Sequence, residues 1–168
     1  MKHLHFFLLA TATLIFSCSI PKKHSTKLDK DWLNSIIEKS DSSYSKPYYR
    51  TDFVTATYYI NKKDSSVCQI MKDSASLIRQ IMITKNEIRT FFGQYYSNGQ
   101  LQAELPLDNF GHYHGSATYF TKTGTILNKG NYTNGFKTGK WDNYDENGKP
   151  ISQEEYDSNG QLLKTTKY

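Results

Sequence analysis

All ten glycines of this 168-residue chain lie beyond residue 92, and six form a comb at Gly99, Gly111, Gly124, Gly135, Gly148 and Gly160, with gaps of 12, 13, 11, 13 and 12 residues. Glycine reaches positive φ without a steric penalty, which a tight reversal of the chain requires. Four of the six are Asn-Gly pairs (Asn98-Gly99, Asn134-Gly135, Asn147-Gly148, Asn159-Gly160), the strongest short-range hairpin signal. A pitch of this length leaves room for one short strand between reversals. The second half therefore reads as a ladder of antiparallel strands.

The same pitch begins before the glycines do. Candidate strands lie at 50–60, 66–72, 76–84 and 87–96, separated by polar turns at Asn61 to Ser65, Asp73 to Ala75 and Lys85 to Asn86. Six more, at 100–107, 113–121, 125–133, 140–145, 150–157 and 161–167, bring the expected total to about ten in one continuous sheet. The chain's 13 Tyr and 9 Phe suit such a surface, so its aromatics are packing residues first. Ahead of the strands, Leu28, Trp32, Ile36 and Ile37 recur at helical spacing, with Asp29 and Asp31 at the favourable end of the helix dipole and Ser25 or Thr26 as the candidate cap. One amphipathic helix over 28–40 is expected, ending in the Ser-rich stretch Ser40 to Ser45 before Pro47 and covering one end or face of the sheet, which would shield an exposed strand edge.

The first residues carry a different message. Lys2 opens an apolar run from Leu4 to Phe16 that is too short to span a bilayer, for which about 20 residues are needed, and Pro21, Lys22 and Lys23 follow at once. This is the pattern of an export signal over 1–17. The run Ile15-Phe16-Ser17-Cys18 resembles a bacterial lipobox, in which the cysteine becomes the lipidated first residue of the mature chain. Several palmitate-type acyl chains on Cys18 would anchor the protein stably, and residues 18–27 would form a tether. No acidic run follows Cys18, so the expected location is the envelope, on an outer membrane and facing the periplasm.

Charge is uneven along the mature chain. Residues 18–90 hold 13 Lys or Arg against 8 Asp or Glu, whereas residues 91–168 hold 7 against 8. The repeat half thus has no basic face suited to nucleic acid. Lys22, Lys23, Lys27 and Lys30 crowd the tether, where cations can rest on anionic headgroups or simply be solvated. Cys68 has no partner once Cys18 is acylated, and without a neighbouring His or Cys in sequence it reads as a small buried hydrophobe. The mature 28–168 segment is one domain, with N-terminal strands over 48–96 and repeats over 91–168.

Sliding the sequence by 24 residues superposes Gly111 on Gly135, Gly115 on Gly139, Phe120 on Tyr144, Gly124 on Gly148 and Tyr132 on Tyr156; a slide of 25 superposes Tyr95 on Phe120 and Gly99 on Gly124. One unit is two strands and two turns. The best copy, Gly130 to Ile151, resembles the MORN-repeat variant of bacterial antitoxin-component proteins at Gly130, Tyr132, Gly135, Gly139, Trp141, Tyr144 and Gly148. The copy at 107–127 departs from it, with Ser116 to Thr118 where the better copy has Lys140 to Asp142 and its tryptophan. The resemblance implies an elongated, non-enzymatic β-hairpin ladder that binds something. A lipid anchor argues against a cytoplasmic antitoxin but agrees with an envelope immunity role against an arriving toxin.

Candidate chemistry is thin. His112 and His114, two apart with Asp108 and Glu104 nearby, could form half of a metal site, but Phe136 and Thr138 replace them in the next copy and surface histidines are the simpler reading. Neighbouring carboxylates at Asp145-Glu146 and Glu154-Glu155 would point to opposite faces of a strand rather than flank one cleft. No Gly-Xaa-Ser-Xaa-Gly, phosphate loop, paired-Cys or His-Glu-Xaa-Xaa-His motif occurs. No metal, cofactor or enzymatic activity is expected. The leading expectation is a protein partner, a toxin under the immunity reading, held by Tyr113, Tyr119, Tyr132, Trp141 and Tyr144; the alternatives are a structural or glycan-contacting envelope protein and, more weakly, an enzyme using His112 and His114.

Overall fold

A computed structural model describes residues 28, 30–48 and 53–168. The expected export signal, Cys18, the tether, the candidate caps and the start of the first expected strand lie outside the described residues. Among the described residues one helix, α1 (Lys30–Glu38), precedes eleven strands. These are β1 (Ser42–Pro47), β2 (Thr55–Asn61), β3 (Ser66–Lys72), β4 (Ile78–Lys85), β5 (Ile88–Tyr95), β6 (Leu101–Pro106), β7 (Gly115–Phe120), β8 (Ile126–Thr133), β9 (Phe136–Tyr144), β10 (Pro150–Tyr156) and β11 (Leu162–Lys167). They form a single antiparallel sheet in sequence order, so every strand pairs with its chain neighbours. The mainly β meander with one short helix is the architecture that the comb predicts.

Several boundaries differ from expectation. Strand β1 falls where the sequence shows only a Ser-rich end to the helix, because an edge strand exposed at all six residues needs no apolar alternation. Its pairing with β2 comes from backbone register, a Tyr44 ring stacked on Tyr58 with centroids 4.8 Å apart, and a 2.9 Å hydroxyl contact between Ser45 and Thr57. Strand β9 starts at Phe136, earlier than the expected 140, and β7 starts only at Gly115. Residues 108–112 before it form a turn, so His112 sits in a loop and not on a strand.

Six reversals share one five-residue frame, at 73–77, 96–100, 108–112, 121–125, 145–149 and 157–161. In each, the first N–H donates to the fifth carbonyl at 2.8–3.0 Å and the fourth N–H donates back to the first carbonyl at 3.0–3.3 Å. The fourth residue is always left-handed: Gly99, Gly111, Gly124, Gly148 and Gly160 have φ between 81 and 88°, and Ser76 has 62°. Four frames begin with aspartate. The carboxylates of Asp73, Asp108, Asp145 and Asp157 each accept two backbone N–H groups of their own turn at 2.8–3.0 Å. This Asx closure fixes the loop independently of the Asn-Gly pair. Asn134-Gly135 and Asn86-Glu87 are two-residue turns with both residues at positive φ, 51 and 85° in the first and 49 and 68° in the second.

Two unbroken rows of paired residues cross all eleven strands and define the faces. One runs Ser45, Thr57, Ile70, Ile81, Gly93, Glu104, Thr118, Lys129, Asp142, Gln153, Thr166. The other, offset by one residue and hence on the opposite face, runs Lys46, Ala56, Met71, Gln80, Gln94, Ala103, Tyr119, Asn128, Asn143, Ser152, Lys167. The first face is apolar only in its middle, where α1 lies on it. Trp32, Leu33, Ile36 and Ile37 pack there over Cys68, Ile70, Ile81 and Phe91. The helix thus covers the body of the sheet and not its edge. Leu28 seats against Gly93, where any Cβ would overlap the leucine side chain, and its N–H donates to a Glu104 carboxylate oxygen at 2.9 Å.

Candidate functional site

The second cluster, Ala103, Leu105, Ala117 and Trp141, lies on the opposite face with Phe92, Tyr119, Tyr132 and Tyr156 around it. Trp141 is 0% exposed. Its ring lies across Gly130 of the neighbouring strand, where a Cβ would collide with the indole, and its Nε1–H donates to the Asn131 carbonyl at 3.1 Å. Tyr132 meets it edge-on with centroids 5.0 Å apart, and Tyr119 lies at 6.3 Å. The Tyr119 and Tyr132 hydroxyls are 3.0 Å apart, and Tyr113 continues the stack onto Tyr132 at 5.4 Å.

Lys137 closes the cluster from outside. Its Nζ is 4.4 Å from the Trp141 ring centroid and 5.2 Å from that of Tyr156, and it forms a 3.9 Å ion pair with Glu154. The Tyr156 hydroxyl donates to Glu154 at 2.7 Å; desolvation first, and this bond to a carboxylate second, push its pKa up to about 12. Burial, followed by the bond to Tyr132, also raises the Tyr119 phenol. These hydroxyls stay protonated donors across the neutral range.

The five aromatics expected to contact a partner do not form one surface. Trp141 is a core residue and is not available for contact, because Gly130 gives its ring a seat within the sheet. Tyr119 and Tyr132 are half-buried beside it, and of the five Tyr113 alone is exposed, at 37%. Tyr144 is on the other face, pairing with Pro150 in a shallow pocket of about 380 Å³ lined also by Asp142, Lys149 and Tyr168. Gly139 has φ of 63° with open space around its Cβ position, so the glycine that makes room for the tryptophan is Gly130 and not Gly139.

The structure instead exposes two aromatics that periodicity passes over. Phe110, at the tip of the 108–112 turn, is 86% exposed, and Phe136, just past Asn134-Gly135, is 54% exposed. The Gly135 N–H donates to the Tyr113 carbonyl at 2.9 Å, which holds the 108–114 loop against this turn. Phe136 in turn lies 3.0 Å from where a Gly160 Cβ would be. Phe110, Tyr113 and Phe136 therefore follow one rim of the sheet. An apolar residue inside a polar turn frame is the signal that could have found Phe110. His112 is on the same rim with Nδ1 3.4 Å from Asp108, while among the described residues no group of three His, Cys, Asp or Glu is placed to hold a metal ion.

This is a single-sheet β-hairpin repeat protein with an aromatic rim. A family model described as a MORN repeat variant matches residues 94–109 and 137–157. The second stretch spans β9 and β10 and includes Gly139, Trp141, Tyr144 and Gly148. No curated protein matches the chain.

Proposed function

We propose that this chain is a non-enzymatic, lipid-anchored cell-envelope protein that binds a protein partner, in an immunity or antitoxin-like role, through the rim of Phe110, Tyr113 and Phe136. The observation that carries this reading is the exposure of those rings on a braced edge: aromatic side chains left in water on a rigid scaffold are the usual anchors of protein contacts. The lipobox-like Ile15-Phe16-Ser17-Cys18 supports the anchor. In a membrane pull-down, F110A/F136A should lose the co-purifying protein that the native chain retains. If capture survives that double substitution, the rim is not the interface. Cys18→Ala should move the protein out of the membrane fraction, and retention there would remove the anchor. A glycan-contacting role is the second reading, favoured by the Tyr144, Pro150 and Tyr168 pocket, whose rings could stack on a sugar with Asp142 and Lys149 beside them. Retention on an envelope polysaccharide column that Tyr144→Ala abolishes would support it over the first.

A further inference from the structure

Beneath α1 the helix and sheet do not close completely. A cleft of about 370 Å³ opens between the helix flank and β2 to β5, a volume within the roughly 300–1,000 Å³ of small-molecule sites. Its apolar walls are Trp32 and Ile36 from the helix and Tyr59, Cys68 and Ile83 from the sheet, and uncharged polar side chains, Ser35 of the helix among them, complete the lining. The Cys68 thiol, pushed up to about 12 by desolvation, behaves there as an uncharged apolar wall. The mouth is different. Lys39 at the end of the helix and Lys85 at the end of β4 stand there with Asp64, whose carboxyl the Ser66 hydroxyl holds below its ordinary range, so two cations face one anion.

We propose that this cleft binds the single hydrocarbon chain of an anionic amphiphile, with the tail against Trp32, Ile36 and Ile83 and the head between Lys39 and Lys85. The apolar walls favour a dry chain, each buried methylene contributing about 0.8 kcal/mol. The surplus positive charge at the mouth selects an anionic head over a neutral one. A fatty acid and a single-chain phosphate ester share that chemistry. This site is on the helix-covered half and is independent of the aromatic rim.

Trp32 is a built-in reporter, because one of the two tryptophans lines the cleft and the other, Trp141, is enclosed on the opposite face. The test uses the full chain carrying Cys18→Ala, without detergent, titrated with ω-bromodecanoate below its micelle concentration. Bromine should quench the Trp32 emission and leave that of Trp141, and Trp32→Phe should abolish the saturable quenching. Ser35→Phe, which fills the cleft from the helix side, should abolish binding measured by calorimetry while leaving the far-ultraviolet spectrum unchanged. K39E/K85E should weaken binding about tenfold, the scale of losing two partly solvated ion pairs. The decyl phosphate ester, run in parallel by calorimetry, should also bind; the tighter of the two heads names the source. Absence of saturable quenching overturns the proposal, as does equal affinity for ω-bromodecanol or undiminished binding in the Ser35→Phe variant.

Discussion

In the first half of the sheet Leu28 reaches down from the helix approach onto Gly93, and in the second Trp141 reaches sideways along the sheet onto Gly130. Both strands use a glycine to let a large side chain touch backbone, although a strand-interior glycine is intrinsically weak. The covers differ. The first seat is roofed by a separate element, α1, and the second by the ladder's own side chains: Tyr119, Tyr132, Tyr156 and the Lys137 stem. A regular backbone repeat therefore does not impose a regular core. Bulges at Gln94/Tyr95 and Tyr119/Phe120 allow this, because each inserts one residue in the partner strand so that Leu101 and Ile126 join the helix-side cluster while Ala103 and Asn128, two residues further on, face the other side.

If the tryptophan is the only large filler of the second core, its removal should have the largest effect in the molecule. Trp141→Ala is expected to cost about 3–5 kcal/mol in chemical denaturation, in line with large-to-small changes at fully buried aromatics. Loss of under about 1 kcal/mol would mean that the tyrosines close over the space and that the second half is not organised around this ring.

The first seat can be tested by coupling. Leu28→Ala should cost about 2–3 kcal/mol, and Gly93→Ala about 1–3 kcal/mol because its Cβ displaces the leucine. In the Leu28→Ala background, Gly93→Ala should become close to neutral. A double-mutant cycle with additive terms would show that the glycine serves the strand itself and not the seat.

Turn glycines come next. Gly135→Val and Gly148→Val place a β-branched residue at φ of 85 and 81°, and each should cost about 1–3 kcal/mol. Gly139→Ala should cost about 1 kcal/mol through its left-handed backbone alone, since its surroundings are open. Thermal midpoints would rank the three. A Gly139→Ala loss as large as that of the valine variants would imply crowding that the structure does not show.

The ladder was legible because its signals are local. Asn134-Gly135 and the comb at Gly99 and Gly148 fix reversals regardless of what packs around them, and the spacing of Leu28, Trp32, Ile36 and Ile37 marks a helix in any context. What covers which face is not local. Trp141 looks like a surface anchor in a strand flanked by Lys140 and Asp142, and only the register that sets Gly130 beside it shows that it is buried. Strand β1 escaped for the converse reason: its identity rests on a partner strand, with no pattern of its own.

The smallest expected effect compares the two halves at a single backbone position. The frame at 73–77 repeats that at 145–149, hydrogen bond for hydrogen bond, except that Ser76 takes the place of Gly148. Ser76 has φ of 62°, which costs a residue with a Cβ roughly 1–2 kcal/mol relative to the right-handed region. Glycine removes that strain but gains about 0.4–1 kcal/mol of conformational freedom in the unfolded chain. Ser76→Gly should therefore stabilise by no more than about 1.5 kcal/mol, while Gly148→Ser, which restores the strain and brings a Cβ within 3.2 Å of the Thr125 methyl, should destabilise by a similar amount or more. Paired melts of these reciprocal variants sharpen the comparison. Opposite shifts mean that the helix-covered and open halves share one turn mechanism; a destabilised Ser76→Gly would mean that the serine hydroxyl or its neighbours, and not the backbone frame, hold the first half's turn.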